Sequence, residues 1–326
     1  MKRTPWMREA VSAGKEFSVN NQDRRAHNGR NILCTIAVLT GITAVVASAS
    51  VVPTVAYLLV APWLLGSLYF SIFILVIHEC SHDMFFITEN RARIRVWNRR
   101  IGQVFSAPFF TDYIQHWEEG HLEHHLRPCE EHDPQDRHPI TGWPLMARLA
   151  ALLFVPGSVL LFNPSNQYGF SVKRIGLGIL GLVVPAVLSG LLIAWPAGVV
   201  VLLGMHTLQI FNMLKKAQEH GGGLAQASDP LLRSRTYFYP LQRFASPFNI
   251  HYHFEHHANL RVPWYNLPAY HARMRTIVPE ALQSSFFHHR YIDQAAGRFP
   301  PVDERRVFGE AAQTSPSAGV DIPAAR

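Results

Sequence analysis

Charged side chains vanish from two long stretches of this chain. Between Asn31 and Ile77 there is no Asp, Glu, Lys or Arg over 47 residues, and between Ile175 and Leu214 there is none over 40. One membrane-spanning helix takes about 20 apolar residues, so each run holds two spans and a tight turn. Val52-Pro53-Thr54 and Trp195-Pro196-Ala197-Gly198 supply turn chemistry at the right places. The pattern predicts spans over 31–51, 54–77, 175–194 and 197–214. A pair of buried helices in a large soluble core is the alternative, but soluble helices rarely run so far without a charge.

Between and around these runs the chain is polar. Residues 1–30 read as an N-terminal arm with a short surface helix, 31–300 as the membrane domain, and 301–326 as a loosely ordered tail rich in Ala, Ser, Pro and Gly. The apolar stretch Leu149 to Phe162 contains Pro156 and is too short to cross, so it reads as re-entrant or interfacial. All 30 Lys and Arg lie outside the two runs. A hairpin returns the chain to the side it left, and the positive-inside rule makes that side cytoplasmic for both termini and the middle segment. The expected fold is therefore an all-α membrane protein, with four transmembrane helices in two hairpins and a cytoplasmic, His-rich helical cap. A bacterial inner membrane is the expected setting.

Net charge of +7 suits an anionic leaflet. It argues little for nucleic acid, because no basic cluster is interleaved with aromatics on a recognisable module. Cys34, Cys80 and Cys129 have no disulfide spacing, and a cytoplasmic setting keeps them reduced. The first thirty residues have no apolar region followed by a cleavage site, so no cleavable signal peptide is expected.

Histidine changes the picture. The chain has 18, and they cluster. His78-Glu79-Cys80-Ser81-His82 is an HExxH match, the pattern of zinc metalloproteases. "GHLEHH" holds His121, His124 and His125. "HYHFEHH" holds His251, His253, His256 and His257, and "AQEHGG" holds His220. Positions i, i+3 and i+4 share one helix face, so each box can turn two or three imidazoles inward. So many neutral rings packed together would leave donors and acceptors without partners. A metal resolves that, since imidazole binds first-row cations through one nitrogen and donates through the other. Glu79, Asp83, Glu123, Asp133, Glu219 and Glu255 are at hand as supporting carboxylates. A catalytic zinc takes three protein ligands and would leave two boxes unexplained, so two metal ions are the better fit. Cys80 lies about 200° around the helix from His78 and reads as packing.

These boxes resemble those of the membrane-bound fatty acid desaturases and their hydroxylase relatives. HECSH at 78–82, HLEHH at 121–125 and HFEHH at 253–257 carry the likeness. The run "HFEHHANLRVPWYNLPAYH", the "AQEHGG" segment and the pair Asp133-Pro134 strengthen it, over roughly residues 60 to 272. The resemblance implies a non-haem diiron centre at the cytoplasmic face. Its ligands would be His78, His82, His121, His124, His125, His220, His253, His256 and His257, with Glu79, Glu123, Asp133 and Glu255 orienting them or balancing charge. Some acyl-CoA desaturases use an asparagine four residues before the extra histidine, where this chain has Lys216. His251 lies outside the HxxHH core. His116, His132 and His138 read as flanking residues, His206 as a core residue bonded to Gln209 or a backbone carbonyl, and His288-His289 as surface.

A charge-free bundle over a metal site suits a long apolar substrate, which offers acid–base chemistry no handle. By resemblance, two Fe ions with dioxygen as co-substrate remove hydrogen from a methylene of a lipid acyl chain. Loss of a second hydrogen gives an alkene, and return of a hydroxyl gives an alcohol. Hydroxylase, ketolase and oxidative decarboxylase outcomes stay open, as do an intramembrane zinc protease using HECSH and a metal transporter or store. No dinucleotide fingerprint or haem module is present, so a ferredoxin- or rubredoxin-type donor with its reductase is expected. Arg91, Arg93, Arg95, Arg99 and Arg100 would dock an acidic carrier or meet lipid phosphates.

Overall fold

The computed structural model describes residues 3–135, 141–155, 171–288 and 302–308. Among them are four helices long and apolar enough to cross a membrane: α2 Arg24–Ser50, α3 Thr54–Ser81, α7 Val172–Leu192 and α8 Trp195–His220. Shorter helices are α1 Pro5–Ala13, α4 Arg91–Ser106, α5 Gly120–Leu126, α6 Gly142–Phe154, α9 Gln242–Ala245, α10 His253–Ala258, α11 Leu267–Ile277, α12 Glu280–Phe286 and α13 Glu304–Phe308. A two-residue parallel pairing of β1 Thr236–Tyr237 with β2 Phe287–His288 is the only strand pairing among the described residues.

The long helices outrun the charge-free windows. α2 begins inside the basic arm, and α3 and α8 continue past the apolar runs to carry their histidines. A helix satisfies its own backbone, so it can leave an apolar layer without a break. α3 and α8 form the central crossing, and small residues let them approach. A Cβ on Gly66 would lie 2.7 Å from the Thr207 Cβ, and one on Gly204 would lie 2.9 Å from the Leu65 side chain. Close approach of this kind replaces the hydrophobic effect where the surroundings are themselves apolar. Leu65, Ala61, Leu182, Ala186, Val200 and Val201 complete the core at that level.

α2 and α7 turn most of their surface outward: only 22% and 17% of their apolar windows is buried. Leu33, Ile36, Leu180, Leu191 and Leu192 are exposed there. Contiguous exposed apolar surface of this extent marks contact with something other than water, and here it matches lipid.

A second core holds the polar segments together. α1 is docked rather than loose, with Met7 and Ala10 fully buried against Leu224, Phe254 and Tyr270. Tyr270 donates its hydroxyl to the Ala10 carbonyl at 2.6 Å. The expected loose tail likewise starts with a docked element, since Val302 and Val307 are buried in the same core; residues 309–326 lie outside the described residues. α6 takes up the start of the stretch read as re-entrant, packing Leu145, Leu149 and Leu152 against Ile210 and Ala217 of α8. The remainder of that stretch, from Pro156, lies outside the described residues.

Replacing Gly66 by Leu forces a side chain into the α3–α8 crossing. Overpacking costs about 1–3 kcal/mol. The melting temperature of the detergent-solubilised Gly66→Leu protein is expected to fall, while Gly29→Leu, where a Cβ meets open space, leaves it unchanged.

Candidate metal centre

Four helix segments deliver the histidines to one place. Near its end α3 contains a π-turn, Phe73–His78, followed by one α-helical turn that leads to His82, and a second π-turn, Tyr113–Glu119, runs into α5. Each π-turn adds a residue to a helical turn and so re-phases the side chains beyond it. The first ends on the first histidine of its box, and the second ends two residues before His121. α8 contributes His220 at its last turn, and α10 is itself the third box.

The result is two adjacent groups. His78, His82, His121, His125 and His256 form one, and His124, His220, His253 and His257 form the other. Within each group one candidate ligand atom per residue lies within 4.8 Å of all the rest. They share a wall, where the His125 and His257 rings stand 4.2 Å apart.

Hydrogen bonding alone cannot account for the contacts. Nε2 of His78 meets Nε2 of His256 at 3.1 Å, and His256 meets His125 at 3.1 Å. His125 meets His121 and His121 meets His82, again Nε2 to Nε2 at 3.1 Å. In the second group His253 meets both His220 and His257, at 2.9 and 3.0 Å. An imidazole nitrogen either donates or accepts, so no nitrogen inside such a chain can serve both neighbours. The opposite faces of the rings fix the tautomers. Nδ1–H of His121 donates to Gln135 Oε1 at 2.8 Å, that of His124 to Asp133 Oδ2 at 2.9 Å, and that of His220 to the Arg233 carbonyl at 2.8 Å. Their Nε2 atoms therefore carry lone pairs, that of His121 turned to His82 and His125 in the first group and that of His220 to His253 in the second. Lone pairs converging at about 3 Å are the edges expected of neighbouring ligands on a cation with bonds of about 2.1 Å. The donor set fits two first-row cations, one in each group.

Burial, then repulsion from neighbouring rings, holds His121, His125, His253, His256 and His257 well below the ordinary imidazole range, and pushes His82 down to about 3. All are neutral at physiological pH, ready to bind a cation without first losing a proton.

The carboxylates divide. Asp133 is fully buried; burial alone would raise it, but His124 and the Gln135 and Cys129 amides hold it below its usual value. Glu79 is buried with Oε1 3.7 Å from His78 Nδ1, on the far side of that ring from its Nε2. Glu219 Oε1 lies 3.2 Å from His253 Nδ1 and its Oε2 accepts from Lys215 at 2.6 Å. Two of the expected carboxylates have other partners. Glu123 is on the outer face, 3.6 Å from Arg127, because its offset turns it away from the three histidines of its own box. Glu255 reaches no candidate ligand; it accepts from Thr236 and from His271 Nδ1 at 2.6 Å, tying α10 to β1 and α11. Asp83 is exposed and belongs to neither group.

The other histidines stay outside. His251 contacts Gln242, and His206 donates to the Leu152 carbonyl at 2.5 Å. His116 is bonded at Asp112 and His132 is exposed. His138, His289 and the His288 side chain lie outside the described residues. Lys216 donates its ammonium to the Gln135 carbonyl at 2.5 Å, bracing the residue that orients His121. Cys80 is buried in the apolar cluster of Val76, Ile77 and Tyr113.

The sequence reading missed Gln135, the Arg233 carbonyl and a clamp behind His82. In that clamp His27, Asn31 and Asn28 donate to the carbonyls of Met84, Phe85 and Ile87, and Asn98 accepts from the amides of Phe85 and Phe86. Polar residues spaced along the buried face of α2 were the available signal.

A family model described as fatty acid desaturase matches residues 53–290, most of the chain and every histidine of both groups. A search of curated proteins finds no match.

Two measurements test this arrangement. Asp133→Ala releases His124 Nδ1 and two loop amides, and metal affinity, measured by competition with a chelator, is expected to fall about 10–100-fold. In chelator-treated protein the imidazoles have folded-state values below the unfolded value of about 6.5. Their contribution to stability is present above that pH and is lost as pH falls toward the folded values, about 3 for His82. The melting temperature should be level above pH 7 and decline through pH 6 to 4, less steeply in His82→Gln.

Proposed function

As the chain belongs to the fatty acid desaturase family, we propose that it is a dioxygen-dependent diiron oxidase of a lipid acyl chain, with desaturation of a methylene pair as its outcome. The observation that supports this most is the meeting of nine imidazoles in groups of five and four, with one ring nitrogen from each within 4.8 Å of the others in its group. His78, His82, His121, His125 and His256 would hold one iron, and His124, His220, His253 and His257 the other. Two such irons with dioxygen supply the oxidising power that an unactivated methylene demands.

The protein's own work is orientation and exclusion. Gln135, Asp133 and the Arg233 carbonyl hold His121, His124 and His220 by Nδ1, so that these three rings are held as ligands and not as bases. Trp117 stands 5.5 Å from His121, with Phe73 edge-on to it at 4.7 Å and Phe109 beyond. This aromatic path leads from the first group into the span region. It keeps water from the reacting carbon and gives an alkyl chain a dry surface to lie on. The four apolar helices set the enzyme in a bilayer, with the site and both termini on the cytoplasmic side by the distribution of Lys and Arg. Electrons come from a ferredoxin- or rubredoxin-type carrier with its reductase.

Peptide hydrolysis fits poorly. A zinc protease needs Glu79 beside the metal-bound water, whereas this carboxylate lies behind the His78 ring. A transporter needs ligands within the spans, and among their described residues His206 is already bonded to a carbonyl.

Purified protein is expected to carry close to two irons, one for each group. Expressed in a bacterial host, it should yield acyl chains lighter by two hydrogens; chains heavier by one oxygen would identify a hydroxylase instead. His256→Ala removes a ring that touches both His78 and His125. It should lose iron and at least about 100-fold in turnover. A single zinc, with activity surviving this change, would overturn the diiron reading.

A further inference from the structure

α4 has a face that the oxidase reading leaves unused. The helix is capped by Asn90, whose side chain accepts from the Ala92 and Arg93 amides, and it lies across the end of α3. Asn98, Gly102 and Ser106 are buried, and Ile101 and Phe105 pack with Val76, Ile77 and Tyr113. Around the wheel at 100° per residue, the opposite side carries Arg93, Val96, Trp97, Arg100 and Val104. The apolar members are strongly exposed: Val96 47%, Trp97 45% and Val104 71%. The Arg100 guanidinium sits 5.9 Å from the Trp97 ring centre. α4 contains five arginines and no carboxylate.

The arginines are not equivalent. Glu118 accepts from Arg95 Nε and Arg99 Nε, each at 2.7 Å, so these two share one carboxylate and are tied to the protein. Among the described residues no carboxylate pairs with Arg93 or Arg100. Their positive charge therefore faces outward, side by side with an indole and two valines.

We propose that this outward face is a binding surface for anionic phospholipid headgroups. Helices of this kind lie in the interface plane, with apolar side chains in the acyl boundary and guanidinium groups at the phosphates. Trp is favoured at that depth. The position of α4 supports this occupant over an acidic soluble carrier. It packs on the last turns of a spanning helix, where the apolar run gives way to charged residues and a headgroup layer is expected, and it exposes Val96, Trp97 and Val104 there. The surface serves to hold the loop that carries His82 against the membrane, whatever reaction the centre performs.

The full-length protein in nanodiscs of phosphatidylcholine, with and without phosphatidylglycerol, tests the assignment. Each basic residue near an anionic surface contributes appreciably, so phosphatidylglycerol should raise the melting temperature by about 2–4 °C. The gain should shrink in high salt and be lost in Arg93→Gln/Arg100→Gln. Lipids brominated near the headgroup should quench wild-type fluorescence more than that of Trp97→Phe. A gain that survives in the double variant, or quenching unchanged by Trp97→Phe, overturns the proposal. If the double variant keeps the lipid gain but raises the KM for the reduced carrier, the face docks a protein instead. Iron content and product identity stay the same in every arm, so failure here is separable from failure of the diiron reading.

Discussion

Imidazole nitrogens facing one another with lone pairs is the condition on which the rest of this structure turns. Three rings are committed by oxygen acceptors behind them, and the remaining contacts run in chains that no set of tautomers can satisfy. In an apo state this arrangement stores repulsion and unmet desolvation. Bound cations would convert the same geometry into bonds, and folding and metal loading would then be linked. The lowered proton affinity of the rings belongs to this condition: burial keeps them neutral and therefore able to ligate.

Such a site needs elements that can be apolar along most of their length and polar at one end. α3 and α8 meet this need, being continuous helices whose last turns carry His78 and His220. Their close crossing at Gly66 and Gly204 fixes the distance between those turns. α5 and α10 then bring the other two boxes from segments with little apolar surface of their own, and the core around Phe254, Tyr270 and Met7 holds α10 in place. The N-terminal helix is thus part of what positions the third box, although it lies nearly 250 residues away in the chain.

The spans were legible because a charge is so costly in a bilayer that its absence over 47 and 40 residues has few other readings. The histidine groups were legible because helical spacing converts sequence directly into a face. Their surroundings were not. Asp133 and Gln135 reach His124 and His121 across a turn, and the Arg233 carbonyl has no side-chain identity to read. Glu123 looked well placed by adjacency, yet its offset from His121 and His124 turns it outward to Arg127. Glu255 has the same offset in its box and is buried only because β1 and α11 supply Thr236 and His271. The two π-turns leave no trace in residue type, since they depend on how the preceding helix is packed.

HECSH shows why a short motif says less than the company it keeps. In isolation it places two imidazoles and a glutamate on adjoining faces, and hydrolysis is the natural reading. Here the second and third boxes occupy the space in front of His78 and His82, where a water and a peptide would have to sit. Glu79, pushed behind the His78 ring, approaches Nδ1 instead of the ligand side. A carboxylate there favours the tautomer whose Nε2 is free to bind metal, which is support for a ligand rather than catalysis of proton transfer. The same five residues are thus compatible with two chemistries, and both the neighbouring boxes and the side of the His78 ring that the carboxylate occupies weigh against hydrolysis.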